Sequence, residues 1–361
     1  MKKTIAIDAR LTKASGIGTY LTNLISILII NKKYNVILLG KPSELNHYGV
    51  DVICFGSPMY SIAEQIDFVK LIPKCDLFWS PHYNIPWLPI KAKKRLVTIH
   101  DVNHLVLKQG FVKGLYAKFA LNMATFLSDH VITVSDFSKK EILQNVVLVK
   151  DSKVTAIHNG IDTKAFAADQ TLRDTDHIRD KYKLPTKYLL YVGNVKPHKN
   201  LKVLLEAFER LESDIDLLIV GKKEGFISGE SEEGLLSICQ RKRNRIFFTG
   251  YVDQEDLPSI YQMASVFVFP SLYEGFGFPP LESMAAGVPC VVSNASSLPE
   301  VCGDAAIYFD PMNTAELHNA LCEVLNGSDQ SSLINKGFSN VKRFSWEQSF
   351  ENHLRIISQL L

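Results

Sequence analysis

The sequence predicts an α/β protein made of two doubly wound, parallel-sheet domains. Three observations carry this prediction. The chain has 361 residues, more than one ordinary core supports. Short apolar runs alternate with helical patterns from end to end, the rhythm of parallel strands wrapped by helices. Glycines and charged side chains collect just after several of the apolar runs, where doubly wound sheets hold their ligands.

In the first half, the candidate strands are Thr4–Ala9, Asn35–Gly40, Asp51–Phe55, Asp76–Ser80, Leu96–His100, Val131–Ser135 and Val154–His158. Helical patterns lie between them, clearest over Gly18–Ile30 and Lys113–Ser128. The second half repeats the rhythm with Tyr188–Gly193, Asp216–Gly221, Arg245–Tyr251, Val266–Pro270, Pro289–Ser293 and Ala306–Asp310. The polar stretch Ala167–Lys187 reads as the seam, which gives an N-terminal domain over 1–168 and a C-terminal domain over 169–343. Residues 344–361 form a terminal helix, opened by a capping box at Ser345-Trp-Glu-Gln348.

Composition excludes several classes. With 46% hydrophobic and 22% charged residues the chain is ordinary for a globular protein, and its net charge of +2 gives no nucleic-acid signature. Six cysteines, at 54, 75, 239, 290, 302 and 322, show no metal-type pairing and read as reduced core thiols. The start Met1-Lys-Lys3 leads into an apolar stretch broken by Asp8 and Arg10, too short and too charged for a signal peptide. The longest apolar run, Leu24–Ile30, is far below the roughly 18 residues that span a bilayer. The expectation is a cytoplasmic, non-spanning protein.

The densest signal is Pro270-Ser-Leu-Tyr-Glu-Gly-Phe-Gly-Phe-Pro-Pro-Leu-Glu-Ser-Met-Ala-Ala-Gly-Val-Pro289. A buried-type strand, Val266–Phe269, precedes it and a helical pattern follows. Strand, glycine turn and helix start together point backbone N–H groups at an anion, here through Gly275, Phe276 and Gly277. Glu274 and Glu282 bracket the turn; a carboxylate repels phosphate but accepts hydrogen bonds from sugar hydroxyls. Taken singly, each Glu is equally a surface or helix-dipole residue, but the whole string describes a nucleotide-sugar site. A second anion site opens the same domain at Tyr191-Val-Gly-Asn-Val-Lys-Pro-His-Lys-Asn-Leu201, where Gly193 permits close backbone approach and Lys199 supplies a cation. Lysines ahead of a helix oppose its positive end, which argues for a ligand there.

The first domain offers its own strand-end candidates. Gly16-Ile-Gly18 opens a helix after Thr4–Ala9, but Leu21 stands where a dinucleotide fingerprint needs a third glycine, and Gly40-Lys-Pro ends the second strand without an acid. His82, Tyr83 and Asn84 follow the fourth strand in a proline-flanked loop and could face an acceptor. His100 and Asp101 emerge together where the fifth strand stops, an imidazole able to serve a sugar hydroxyl or leaving-group charge beside a carboxylate able to fix its tautomer. Lys91–Arg95 and the basic-aromatic stretch Lys108–Lys118 would suit an anionic membrane surface or a lipid-diphosphate acceptor, and equally a solvated face over a packed one.

The string Glu274-Gly-Phe-Gly-Phe-Pro-Pro-Leu-Glu282 resembles the signature of the retaining glycosyltransferases called group 1 or family 4, and the likeness extends along nearly the whole chain. That resemblance implies the GT-B fold, two Rossmann-like domains facing across a cleft, with the terminal helix returning to the first domain. It implies that Gly16 and Gly18 line the cleft near the donor and that Tyr251 lies against the nucleotide base. Lys199 matches the family's lysine, whereas Asn194 stands where the family commonly has an arginine. Asn159-Gly160-Ile-Asp162 resembles a family string associated with domain-closing geometry. The expected activity is transfer of a hexose from a nucleotide-diphosphate sugar to a glycan or lipid-linked acceptor, retaining and without metal or other cofactor. Similarity to bacterial mannosyltransferase-like members points to GDP-mannose and O-antigen-type polysaccharide. A nucleotide-sugar epimerase of the same fold, or an NAD-dependent oxidoreductase, are the alternatives.

Overall fold

The computed structural model describes residues 2–106, 111–147, 149–167, 175–221, 241–242, 244–327 and 329–361, with the side chains of 111–113 left aside. The chain divides into two compact units, Met1–Gly160 with Ser345–Leu361, and Ile161–Phe344. The division falls at Gly160, earlier than the polar seam drawn from composition at 168/169. Part of that seam, 168–174, lies outside the described residues. The turn Asn159–Asp162 sets the boundary locally: Ile161 N–H donates to the Phe344 carbonyl at 3.1 Å, and Asp162 caps the helix Thr163–Phe166 through Ala165 N–H at 3.1 Å.

The first unit holds a seven-stranded parallel sheet. Its strands are β1 (Thr4–Asp8), β2 (Asn35–Gly40), β3 (Asp51–Cys54), β4 (Cys75–Ser80), β5 (Ala92–Thr98), β6 (His130–Thr133) and β7 (Val154–Ala156), in the order β3-β2-β1-β4-β5-β6-β7. The second unit holds a six-stranded parallel sheet of β8 (Tyr188–Val192), β9 (Asp216–Val220), β10 (Ile246–Gly250), β11 (Val266–Phe269), β12 (Cys290–Ser293) and β13 (Ala306–Phe309), in the order β10-β9-β8-β11-β12-β13. In each sheet the chain reverses direction of growth at its first strand, between β1 and β4 and between β8 and β11. That is the topological switch point at which such sheets take ligands. Helices on both faces explain the continuous apolar reading of the central strands: Ile5–Ile7 and Tyr188–Tyr191 are fully buried.

Two expected boundaries move. β5 begins at Ala92 rather than at Leu96, so most of the basic run is strand; Lys93 reaches Asp76 at 2.8 Å and Lys94 reaches Asp129 at 2.8 Å, which neutralises the strand's entry. The first helix starts at Ser15 rather than at Gly18, so Gly16 and Gly18 both sit in its first turn. The terminal helix, Trp346–Leu360, counts with the first unit, and Ser345 Oγ accepts from Gln348 N–H as a cap at 3.2 Å. His353 on this helix joins a fully buried chain of hydrogen bonds. Trp79 Nε1–H donates to Thr98 Oγ1 at 3.0 Å, Thr98 meets the Tyr20 hydroxyl at 2.9 Å, and Tyr20 meets His353 Nε2 at 2.8 Å. His353 Nδ1 lies 2.7 Å from the Ser349 carbonyl, which can only accept, so Nε2 is the acceptor for Tyr20 and the direction of the chain is fixed. Among the described residues, no helix is long and apolar enough to cross a membrane. Cys54, Cys75, Cys290, Cys302 and Cys322 are free thiols; Cys239 lies outside the described residues.

Candidate active site

In the second unit, β8 and β11 are neighbours, so the segments after them meet at the carboxyl edge of the sheet. Leu272 N–H donates to the His198 carbonyl at 2.8 Å and joins the two loops. Asn200, in the left-handed conformation (φ 55°), donates from Nδ2 to the carbonyls of Pro270 (3.1 Å) and Pro311 (2.7 Å), tying in the loop after β13 as well. This framework brings Lys199 Nζ to 2.6 Å from Glu274 Oε1, with both side chains about one-sixth exposed, and holds the ammonium 5.3 Å from the Phe269 ring centroid. The lysine and the first glutamate of the signature, 75 residues apart in sequence, are therefore one ion pair. Sequence reasoning assigned them separately, one to phosphate and one to sugar; without a ligand they neutralise each other.

Two serines build the glycine turn. Ser296 Oγ accepts from Glu274 N–H at 2.9 Å, and Ser297 Oγ lies 3.0 Å from the Glu274 carbonyl and 2.5 Å from that of Phe276. Gly277 adopts φ 129°, a conformation closed to other residues, and precedes the helix Phe278–Ala285 with Pro279 and Pro280 in its first turn. The Phe276 ring is buried against Phe278 and Phe344, so this residue offers its backbone rather than its side chain. Gly193 N–H donates to the Val220 carbonyl at 3.0 Å and is engaged in the sheet edge. Asn194 is exposed beyond it, its carbonyl accepting from the Tyr191 hydroxyl at 3.3 Å.

Glu282, on the helix after the glycine turn, is engaged by a neighbour within this unit. Its Oε2 accepts from the Tyr261 hydroxyl at 2.8 Å, and burial pushes its carboxyl up to about 7 while the Tyr261 hydrogen bond pulls the other way. Tyr251, just past β10, presents an exposed ring. Of the expected donor residues, then, Lys199, Glu274, Gly275, Phe276 and Gly277 form one locus. Gly193 and Asn194 belong to the loop leading into it.

In the first unit, the segments after β1, β4 and β5 carry the candidates. His100 Nε2 lies 3.0 Å from the Pro81 carbonyl, so Nε2 bears the hydrogen and Nδ1 the lone pair. Burial lowers its pKa to about 4, with the Pro81 carbonyl partly opposing, and the imidazole packs edge-on to Tyr20 with centroids 4.9 Å apart. Asp101 accepts from Asn103 N–H at 3.0 Å. His82, Tyr83 and Asn84 do gather nearby: the ring centroids of His82 and Tyr83 are 4.3 Å apart, and Asn84 is buried. Gly18 is held by its own loop. Its N–H donates to the Ala14 carbonyl at 3.0 Å, and a Cβ there would stand 2.6 Å from the Thr12 carbonyl oxygen. The chain's own loop explains this glycine, and its N–H is not available to a phosphate.

Sequence reasoning missed the strongest charges in this unit. Arg10 chelates Asp8, with Nε–Oδ1 at 2.8 Å and Nη2–Oδ2 at 2.6 Å, and pairs with fully buried Glu64 at 2.7 Å. Its guanidinium lies 3.9 Å from the Phe55 ring centroid. The carboxylates of Asp8 and Glu64 hold the Arg10 pKa above its ordinary value even though burial, the largest influence, opposes them. The string Asp8-Ala-Arg10 was visible, but Glu64 sits in an ordinary amphipathic helix, and only folding carries it to Arg10.

The fold and these loops define a glycosyltransferase of the GT-B type. Comparison with known proteins agrees. A model described as Glycosyl transferases group 1 matches residues 174–338, and one described as Glycosyltransferase Family 4 matches residues 15–165. The chain is 32% identical over 281 residues to O-antigen chain mannosyltransferase B of Escherichia coli, covering 75% of this chain and 71% of that protein. It is 26% identical over 293 residues to the serotype-specific mannosyltransferase WbdA of Escherichia coli, covering 78% of this chain but only 34% of that much longer protein. Sucrose-phosphate synthase from Thermosynechococcus elongatus shares the fold with a TM-score of 0.81 at 20% identity, covering 99% of each chain. The protein belongs to the group 1, or family 4, glycosyltransferases, and it resembles the bacterial O-antigen mannosyltransferases within that family.

Proposed function

We propose that the protein transfers mannose from GDP-mannose, with retention of configuration, to a growing surface glycan of the O-antigen type. The observation that carries this reading is the Lys199–Glu274 pair at the switch point of the second sheet, in a chain 32% identical to an O-antigen mannosyltransferase. An ammonium already held by a carboxylate can exchange to the donor diphosphate. It then balances the charge that develops on the leaving group, while Glu274 is released to accept hydrogen bonds from sugar hydroxyls. The backbone of Phe276 and Gly277 adds N–H groups to the diphosphate. Glu282, whose Oε2 is held by the Tyr261 hydroxyl, offers its other oxygen to the ribose hydroxyls, and the exposed Tyr251 ring lies against the base. His100 presents a neutral Nδ1 lone pair, with Asp101 beside it, to sugar. With Lys199 in this role the reaction needs no divalent cation, and no side chain has to act as a covalent nucleophile; attack from the face the nucleotide leaves gives retention. An acceptor linked to a lipid diphosphate would place the enzyme at the cytoplasmic face of a membrane. Incubation with GDP-mannose and a mannose-terminated acceptor, with and without chelator, and proton NMR of the product tests the reading. An α-mannosyl product formed at equal rate in chelator is expected. Failure to consume GDP-mannose while consuming another sugar nucleotide would overturn the choice of donor, and a β product would overturn retention.

A further inference from the structure

Tyr60 lies in the turn before the helix Ile62–Leu71 and has a left-handed backbone, φ 65°. Bulky side chains seldom adopt that conformation, because Cβ crowds the neighbouring peptide. The strain is imposed from beneath. Tyr60 N–H donates to Glu64 Oε2 at 2.6 Å. Glu64 is itself fixed by Asn84 Nδ2 at 2.7 Å and by Arg10, which Asp8 chelates. Ser61 locks the turn from the other side, capping the helix at Glu64 N–H (3.1 Å) and donating to the Pro58 carbonyl (2.7 Å).

This network holds an aromatic ring out rather than in. Tyr60 is 47% exposed. Its ring centroid stands 6.0 Å from His82, 6.2 Å from Tyr83 and 6.1 Å from Tyr116, each half-buried around it. Trp87 extends the row beyond Tyr116 at 6.4 Å. The rings are uncharged. Asn84 N–H donates to His82 Nδ1 at 3.2 Å, so the Nε2–H faces the Tyr60 hydroxyl at 3.4 Å. Burial, with the Arg10 charge acting in the same direction, lowers the His82 pKa to about 3. Flat apolar faces with hydroxyl and N–H edges match a pyranose, which has an apolar C–H face and a polar rim. A backbone strained only for packing would bury its side chain; strain held by a buried ionic network and ending in an exposed ring points to a ligand.

We infer that Tyr60 is the platform on which a pyranose of the acceptor glycan stacks, with His82, Tyr83 and Tyr116 as its walls. The inference rests on the reading of this chain as an enzyme that glycosylates a glycan. It is tested on the full chain by saturation-transfer NMR with methyl α-mannobioside in the absence of nucleotide, alongside thermal shift with GDP. Wild type and Tyr60→Phe should bind the glycoside. Tyr60→Gly should weaken it tenfold or more, leave the GDP response unchanged and not lower Tm, because glycine accepts this backbone without strain. Tyr60→Leu keeps the strain and loses the flat face, and should also lose the glycoside even if the glycine variant folds poorly. Undiminished binding in both variants, or a wild type that ignores the glycoside, overturns the platform. A missing GDP response in wild type would instead sink the choice of donor, and the glycoside result would stand by itself.

Discussion

The two sheets place a cation just past their first strands, and the two cations are treated in opposite ways. After β1, Arg10 is buried, chelated by Asp8, paired with Glu64 and covered by Phe55. After β8, Lys199 is partly open and meets one carboxylate among the described residues, that of Glu274. A guanidinium with a fixed fork suits permanent bidentate pairing, whereas an ammonium on a flexible stem can change partners. The first cation is a structural rivet that sets the turn beneath Tyr60. The second, in the role proposed for it, is an exchangeable charge. Position at a switch point alone thus does not decide what a charge does; the partners already engaged on it differ between the two sheets.

The comparison breaks most visibly at Arg10. Arg10→Met leaves Asp8 and Glu64 buried without a counter-charge, and should cost about 3–5 kcal/mol of stability, read by urea denaturation of the purified protein. A stable, active Arg10→Met would mean that the rivet holds nothing. Lys199→Ala should do the reverse. Transfer should fall on the order of 10²–10³-fold, as when a charge-stabilising donor is removed from a transition state, while the denaturation midpoint moves little. Combining Lys199→Met with Glu274→Gln should remove any midpoint shift and leave transfer lost, since neither charge then lacks its partner.

A smaller effect sharpens the contrast further. His353→Leu takes the acceptor from the buried Tyr20 hydroxyl and should cost about 1–3 kcal/mol, seen in the first unit by hydrogen exchange. The smallest is a pH dependence of opposite sign in the two units. His82, His100 and His353 are buried with depressed pKa values, about 3, 4 and 4. Their unfolded forms bind protons first, so the first unit loses stability as pH falls below about 6.5 toward 4. Glu282 is raised to about 7, so its folded form keeps its proton longer than the unfolded chain does. The second unit therefore loses stability as pH rises from about 4.5 through 7. Calorimetry should show the two melting transitions separating on acidification, with the first unit melting earlier. Glu282→Gln should flatten the response of the second unit, and parallel shifts of both transitions would contradict the assignment.

Much of this was legible in the chain before folding. Each of the thirteen strands among the described residues overlaps an apolar run that predicted it, because a strand buried on both faces must be apolar along its length, whatever its neighbours. The glycine turn with its two acids was legible too, since Gly277 and the prolines after it are demanded by local backbone geometry. The beginning of β5 was not, because charged side chains on a strand look like loop until Asp76 and Asp129 arrive from elsewhere to pair with them. Residues 168–174 of the polar seam and residues 108–110 of the basic stretch lie outside the described residues.

By itself the sequence determined the class of fold, the order of the described strands and the chemistry available after each one, all of which depend on neighbours close in the chain. Only the tertiary structure decided partners. It joined Lys199 to Glu274 across 75 positions, carried Glu64 to Arg10, and set Glu282 against Tyr261. The reason is that a charge's role depends on what neutralises it and on how much water remains around it, and both are fixed by packing between segments that the sequence keeps far apart.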